Sequence, residues 1–248
     1  MKQLTLLPGL DKLRQPESFT ELTLVPGDLC AIVGNTGSGK SRLIKDIEQF
    51  VHGDSITGRR ILLDDQPVPF EKRLSLSTEL VSHLSQNMRF VLDLSVREFL
   101  MLHCKCRGQL EQNPEMILTM ANTITPEPIT MTMNLNLLSG GQSRALMIAD
   151  IVRTCDSPII LIDEIENAGI DKKQALKLLT DSKKLVLIVT HDPHTALMAD
   201  RRIIMQNGAI VKVMARSENE CHLFKKLDTI YEEQMVLQAH LRKGEFLI

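Results

Sequence analysis

Gly34-Asn35-Thr36-Gly37-Ser38-Gly39-Lys40-Ser41 fits the pattern G-x-x-x-x-G-K-[ST] at every fixed position. The context is the one that pattern needs. An apolar run, Cys30–Val33, precedes it as an expected strand, and Leu43, Ile44, Ile47, Phe50 and Val51 follow at helical spacing over Ser41–Val51. In such a loop the glycines let backbone N–H groups turn inward around phosphate oxygens, and the helix N-terminus adds partial positive charge. Lys40 is expected to reach the outer phosphates and the Ser41 hydroxyl to bind Mg²⁺. The candidate phosphate-binding set is therefore Gly34, Asn35, Thr36, Gly37, Ser38, Gly39, Lys40, Ser41 and the adjoining Arg42.

Further along, Ile159-Ile160-Leu161-Ile162 is an apolar run closed by Asp163-Glu164. An Asp at the end of a buried strand can hold the shell of a metal ion, and a Glu one residue later can orient and deprotonate an attacking water. Asp163 is thus a candidate metal residue and Glu164 a candidate base.

The rest of the chain supplies a frame for these residues. Leu22–Val25 and Cys30–Val33, separated by Pro26-Gly27-Asp28, read as a hairpin-like pair. Ile61–Leu63 reads as a short strand followed by a Pro-rich turn, and 78–84 as a strand ending near Gln86. Between about 93 and 154 the patterns become helical (Val96–Leu102, Pro114–Asn122, and a helix after Ser139), broken by Pro126 and Pro128. Leu185–Val189 is a second fully apolar strand, with a helix at Lys172–Leu179 before it. Strand–helix–strand alternation with apolar strands predicts a parallel sheet covered on both faces. Asn207-Gly208 between Ile203–Met205 and Ala209–Val213 predicts a tight hairpin. In the tail, Leu223, Phe224, Leu227, Ile230, Tyr231 and Met235 predict a helix over about 218–243 that packs on the core or contacts a partner.

Composition narrows the function classes. Lys and Arg total 29 against 31 Asp and Glu, a net charge of −2 that asks for no nucleic-acid partner. No apolar run approaches the roughly 20 residues that a membrane-spanning helix needs. The N-terminus has no signal-peptide pattern, so a cytoplasmic protein is expected, with any membrane function coming through a partner. Five scattered cysteines fit reduced thiols, and Cys104 and Cys106 have no second ligand pair at zinc-type spacing.

Leu138-Ser139-Gly140-Gly141-Gln142 resembles the LSGGQ signature of the ATP-binding cassette (ABC) ATPases. With it, Gln86 looks like that family's Q-loop glutamine and His191 like its switch histidine, in the family's order along the chain from about residue 20 to 213. The resemblance implies an α/β fold: a P-loop NTPase with a mostly parallel core sheet, an N-terminal antiparallel β subdomain and an inserted helical lobe. It implies one ABC ATPase domain over 1–248, with 1–92 and 155–215 as the nucleotide-binding core, about 93–154 as the lobe and 216–248 as a helical tail. It implies ATP as nucleotide and Mg²⁺ as metal, with Ser41, Gln86 and Asp163 around the metal and Glu164, His191 and Gln86 serving hydrolysis. It also implies a head-to-tail dimer with a second ABC subunit, in which Ser139, Gly140, Gly141 and Gln142 meet the ATP held by the partner. Asp171 is the candidate for the aspartate closing the loop after Glu164.

The chain departs from the family in several places. It has no Trp, and Tyr231 is its only Tyr, so the aromatic that usually stacks on adenine upstream of the loop is missing. Phe19 reads as the start of a core strand, leaving aliphatic packing, Arg14 or Leu10 for the base. The segment Ile165-Glu166-Asn167-Ala168-Gly169-Ile170-Asp171 lacks the family's proline and is about one residue longer than usual. The signature helix continues Ser143-Arg144-Ala145-Leu146. Two clients stay open: a separate membrane permease, docked on the region 87–106 with Met88, Phe90, Val91 and Leu92, or a soluble protein, metallocofactor or nucleic-acid complex.

Overall fold

The backbone is set by two sheets that meet at the phosphate-type loop. A computed structural model describes residues 1–86, 88–165 and 169–246. The elements run β1 (Leu4–Leu7), β2 (Leu22–Leu24), β3 (Leu29–Val33), α1 (Lys40–Glu48), β4 (Arg60–Leu63), β5 (Gln66–Pro67), α2 (Phe70–Leu80) and β6 (Val81–Leu84). They continue with α3 (Val96–Cys106), α4 (Pro114–Asn122), α5 (Gly140–Thr154), β7 (Ile159–Asp163), α6 (Lys172–Asp181) and β8 (Leu185–Val189). The chain closes with α7 (Pro193–Met198), β9 (Arg201–Gln206), β10 (Ala209–Ala215) and α8 (Glu218–Arg242).

A four-stranded antiparallel sheet has the order β2-β1-β4-β5, and a six-stranded sheet has the order β10-β9-β3-β8-β7-β6. In the larger sheet only the β9–β10 pair is antiparallel. Its central strands β7 and β8 are apolar on both faces, as strands buried under helices must be. One face, with Ile159, Leu161, Leu185 and Leu187, shares a core with α1 and the antiparallel sheet. The other, with Ile160, Ile162, Val186 and Ile188, packs under α5 and α6. A third core holds α3 and α4 against Leu146 and Ala149 of α5. The helix α5 therefore belongs to two cores at once, which couples the inserted helices to the main sheet.

Three local expectations are corrected. Leu22–Val25 and Cys30–Val33 do not form a hairpin: β2 pairs with β1 in the small sheet, while β3 lies between β8 and β9 in the large one. The turn at Pro26-Gly27, with Gly27 at φ 96°, passes the chain from one sheet to the other. The stretch 78–84 is a strand only from Val81, because α2 runs to Leu80. The Pro-rich turn after β4 contains the short strand β5, and Pro69 then precedes α2, whose first turn needs no N–H from it. The hairpin at Asn207-Gly208 stands as expected, with both residues at positive φ (49° and 87°).

Cys30 lies in the centre of the large sheet at 0% exposure, and burial pushes its thiol up to about 12. Cys104 and Cys155 are also buried, whereas Cys106 and Cys221 are exposed. Titration of the native protein with a disulfide reagent at neutral pH is expected to label two of the five thiols rapidly, Cys106 and Cys221, and all five in denaturant.

Candidate functional site

Four parallel strands of the large sheet end on the same side, and each delivers part of the site. The chain leaving β3 forms the loop 34–39. Two of its glycines sit where a side chain cannot: a Cβ on Gly34 would lie 2.3 Å from the Met205 carbonyl oxygen, and one on Gly39 would lie 2.9 Å from Gly208 Cα. Gly39 takes φ 105° as the N-cap of α1, and no side chain caps the helix there. The first N–H groups of α1 are therefore left for a ligand rather than for a neighbouring hydroxyl or carboxylate. At Gly37 a Cβ would meet nothing within 4 Å, so the loop opens outward at that point. Ser38 Oγ is buried without a hydrogen-bond partner.

Lys40 is 7% exposed and donates to the carbonyls of Gly34 (2.8 Å) and Asn35 (3.1 Å). Burial pulls its ammonium below the usual lysine range, while Glu164 and Asp163 pull in the opposite direction. A cation half stripped of water, facing two carboxylates across a cleft, is arranged to receive a polyanion together with a metal ion.

Gln86, Asp163, Glu164 and His191 come from the chain leaving β6, β7 and β8, and they line one cavity of about 370 Å³ with Thr36, Gly37, Gly39, Lys40, Ser41 and Arg42. Glu164 adopts φ 51°, a left-handed conformation unusual for a side chain other than Gly, Asn or Asp. Gln86 Nε2 donates to Glu164 Oε2 at 2.6 Å, and His191 Nε2 lies 3.6 Å from Glu164 Oε1. The carboxylate is thereby held between an amide and an imidazole beside the loop. Three residues singled out in the sequence on different segments, 86, 164 and 191, thus come together around one oxygen pair.

The donor set answers the question of the metal. Ser41 offers a hydroxyl, Gln86 an amide oxygen and Asp163 a carboxylate, all hard oxygen donors lining the same cavity. This suits a hard divalent cation such as Mg²⁺ that keeps part of its water shell and takes phosphate oxygens as further ligands.

Ser139, Gly140, Gly141 and Gln142 are not in this cavity; they open α5. Ser139 Oγ accepts from Gln142 N, and Gln142 Oε1 accepts from Ser139 N, a reciprocal capping box. Ser139 Oγ also donates to Glu127 Oε2 at 3.2 Å, so the hydroxyl expected to be available for an anion is engaged within the chain. Asp171 lies elsewhere again: it caps α6 through Gln174 N and accepts from the Tyr231 hydroxyl. Residues 166–168 of the loop before it, like Asn87, lie outside the described residues.

The residues offered for the base, Arg14 and Leu10, lie apart from the cavity beside the loop. Arg14 reaches toward the Ile56 carbonyl and Leu10 bridges to Pro16, so neither lines the space beside the loop. Lys12 does. Its Nζ donates to the Gly37 carbonyl at 2.8 Å, and it shares a cavity of about 600 Å³ with Asn35, Thr36, Ser38, Gln206 and Asn207. No pattern in the sequence marks Lys12, because its backbone N–H is brought there by the Asn207 carbonyl on a distant hairpin.

Arg144 is a second residue whose function was not legible. It is 5% exposed, and its guanidinium donates to the carbonyls of Ser85 (2.6 Å) and Asp163 (2.7 Å). It ties the signature helix to the ends of β6 and β7, from which Gln86 and Glu164 depart. The only signal was its position five residues after Ser139 on a helix otherwise apolar in the middle.

Comparison with known proteins gives the family and the fold. The family model described as ABC transporter matches residues 19–167. Over 248 residues the chain is 46% identical to an uncharacterized ABC transporter ATP-binding protein of Methanocaldococcus jannaschii, with 100% of this chain and 95% of that protein covered. The structure of cbiO1 from Clostridium perfringens, described as part of the ABC transporter complex cbiONQ, matches with a TM-score of 0.67 at 20% identity over 98% of this chain and 100% of that one. A dimeric ATP-binding cassette in a post-hydrolysis state bound to ADP and Pi matches with a TM-score of 0.62 at 21% identity over 86% and 98%.

Replacing Arg144 by Leu is expected to lower stability by about 1–3 kcal/mol, because two part-buried carbonyls lose a charged donor. Urea denaturation of the variant against the wild type measures it, and an unchanged midpoint would show that the tie carries no weight.

Proposed function

The chain belongs to the ABC transporter family of ATP-binding subunits, which hydrolyse ATP, and from that premise we propose that it works as one half of a dimer closed by two ATP molecules and drives a separate membrane permease. The observation that carries the hydrolytic assignment is the single cavity in which Lys40, Ser41, Gln86, Asp163, Glu164 and His191 meet. The phosphates would lie along the loop 34–39 and the open N-terminus of α1, with Lys40 on the outer phosphates. Ser41, Asp163 and Gln86 would hold Mg²⁺, which supplies charge neutralisation between phosphate oxygens. Glu164 orients the attacking water and takes its proton, and His191 steadies both Glu164 and the departing phosphate. The nucleobase would lie in the outer cavity against Lys12, Gln206 and Asn207, with no aromatic among its lining residues.

Dimerisation is supported by what the cavity lacks. Ser139–Gln142, the family's mark, open a different helix and are not among the residues lining this cavity, so they would meet a second copy's ATP in a head-to-tail pair. The Ser139–Glu127 contact would give way to the incoming phosphate. The permease is supported by the surface of the segment after Gln86, where Met88, Val91 and Leu92 are exposed apolar side chains close to the site, while Phe90 turns inward against Phe99. Among the described residues no helix is long and apolar enough to cross a membrane.

In the Glu164→Gln variant, loss of the base is expected to slow turnover by about a hundredfold or more while leaving nucleotide binding intact. Light scattering should then find an ATP-dependent dimer in the presence of Mg²⁺. A variant that stays monomeric at saturating ATP, with a wild type that hydrolyses as a monomer, would overturn the sandwich. Affinity capture of the trapped form identifies the client: a polytopic membrane protein supports the permease, and a soluble complex replaces it.

A further inference from the structure

The C-terminal helix α8 touches two segments that flank the catalytic carboxylate. Phe224, Asp228 and Tyr231 lie at i, i+4 and i+7 on its inner face. The rings of Phe224 and Tyr231 both stack on His194, at 5.4 and 4.8 Å between centroids. His194 is 4% exposed and sits three residues after His191, in the first turn of α7. Asp228 divides its two oxygens between the segments: Oδ1 meets His194 Nε2 at 3.1 Å, and Oδ2 accepts from Lys173 Nζ at 2.8 Å. Tyr231 is shared in the same way. Its hydroxyl donates to Asp171 Oδ1 at 3.2 Å, and Lys172 Nζ stands 4.7 Å above its ring. Lys172 in turn pairs with Asp192, which caps α7 through Thr195 and is bonded directly to His191.

These contacts form a closed ring: α8, the start of α6 at Asp171–Lys173, and the start of α7 at Asp192–Thr195. His191 leaves that ring by one peptide bond and places Nε2 3.6 Å from Glu164. Burial and the neighbouring Asp171 carboxylate push the Tyr231 phenol above its ordinary range, so its hydroxyl keeps the proton it donates. Burial pulls the His194 imidazole down, against the raising effect of Asp228, so the ring stays neutral and stacked at neutral pH.

We propose that Asp228 and Tyr231 are positioning residues for ATP hydrolysis, clamping the start of α6 to the start of α7 so that His191 is held against Glu164. The proposal rests on the reading of Glu164 and His191 as the hydrolytic pair. Neither Asp228 nor Tyr231 lines the loop cavity, so Asp228 acts through Lys173 and His194, and Tyr231 through Asp171, Lys172 and His194. The clamp also ties Asp171–Lys173, downstream of Glu164, to the segment Asp192–Thr195 that adjoins His191.

The test uses the full chain and three variants: Asp228→Ala, Tyr231→Phe and Glu164→Gln. Tyr231→Phe keeps the stacking and removes only the hydroxyl, so it is expected to fold like the wild type. With the clamp opened, kcat should fall about tenfold in Asp228→Ala and severalfold in Tyr231→Phe, with KM for ATP within about twofold of the wild type. Hydrogen exchange should rise together in 169–173 and 191–195 and not in the loop 34–41. Wild-type kcat in both variants overturns the proposal, as does a loss in which kcat, KM and melting temperature all move together while exchange rises throughout the chain. If the wild type shows no ATP hydrolysis that Glu164→Gln removes, the hydrolytic reading itself fails and the clamp falls with it. If Glu164→Gln removes hydrolysis and the α8 variants do not slow it, only the clamp fails.

Discussion

The contact between the loop 34–39 and the β9–β10 hairpin is the constraint from which the rest of the site follows. Gly208 N donates to the Ser38 carbonyl at 2.8 Å, Gly208 Cα stands under Gly39, and the Gly208 carbonyl accepts from Arg59 Nη2. Arg59 is fully buried and paired with Glu17 and Asp46, so a charged centre links the antiparallel sheet, α1 and the hairpin. Glu17 also accepts from Gly9 N and Ile210 N, which carries the segment around Lys12 onto the loop. Such a buried network adds little as net stabilisation, but loss of any one partner leaves a charge without water, at a cost of about 3–5 kcal/mol. Its structural effect is to specify one arrangement of two sheets and a helix, and a loop that must present N–H groups to a polyanion needs that single arrangement.

Once the loop is fixed, the remaining groups arrive by topology. Parallel strands all point their carboxyl ends the same way, so residues just past β3, β6, β7 and β8 gather on one edge although they are far apart in sequence. Asp163 and Glu164 were legible because they close an apolar run where a buried strand must end, whereas Gln86 and His191, each two residues past a strand end, were legible through the family resemblance. The strands β7 and β8 themselves were legible because runs of four or five aliphatic residues have few other places to go in a chain of this composition.

What was not legible has a common physical cause. The short segments Leu22–Leu24 and Leu29–Val33 looked like a hairpin because sequence proximity and Pro26-Gly27 suggest one, but pairing is decided by which neighbours cover both faces, and β3 needed β8 and β9. The α2 helix has no buried residue, so its pattern carries no core stripe to read. Lys12 meets the Gly37 carbonyl 25 positions away, Arg144 the carbonyls of Ser85 and Asp163 59 and 19 positions away, and Tyr231 the Asp171 carboxylate 60 positions away. Their partners are set by tertiary packing and leave no periodicity.

The two helices that open on glycines show how one chain can hold a phosphate site and still be incomplete. The N-terminus of α1 has a left-handed glycine and no side-chain cap, so its N–H groups are open to the cavity that Lys40 shares with the acidic pair. The N-terminus of α5 is closed by its own Ser139–Gln142 box, with Glu127 on the serine hydroxyl. A carboxylate at that point satisfies the helix dipole while the chain is alone, and a phosphate can replace it with more charge and more acceptor oxygens. In the proposed dimer, closing a second chain over bound nucleotide would exchange an internal acid for an external one. That exchange would favour association when the triphosphate is present, and would make it depend on the state of the nucleotide as well as on the apolar area of the two surfaces.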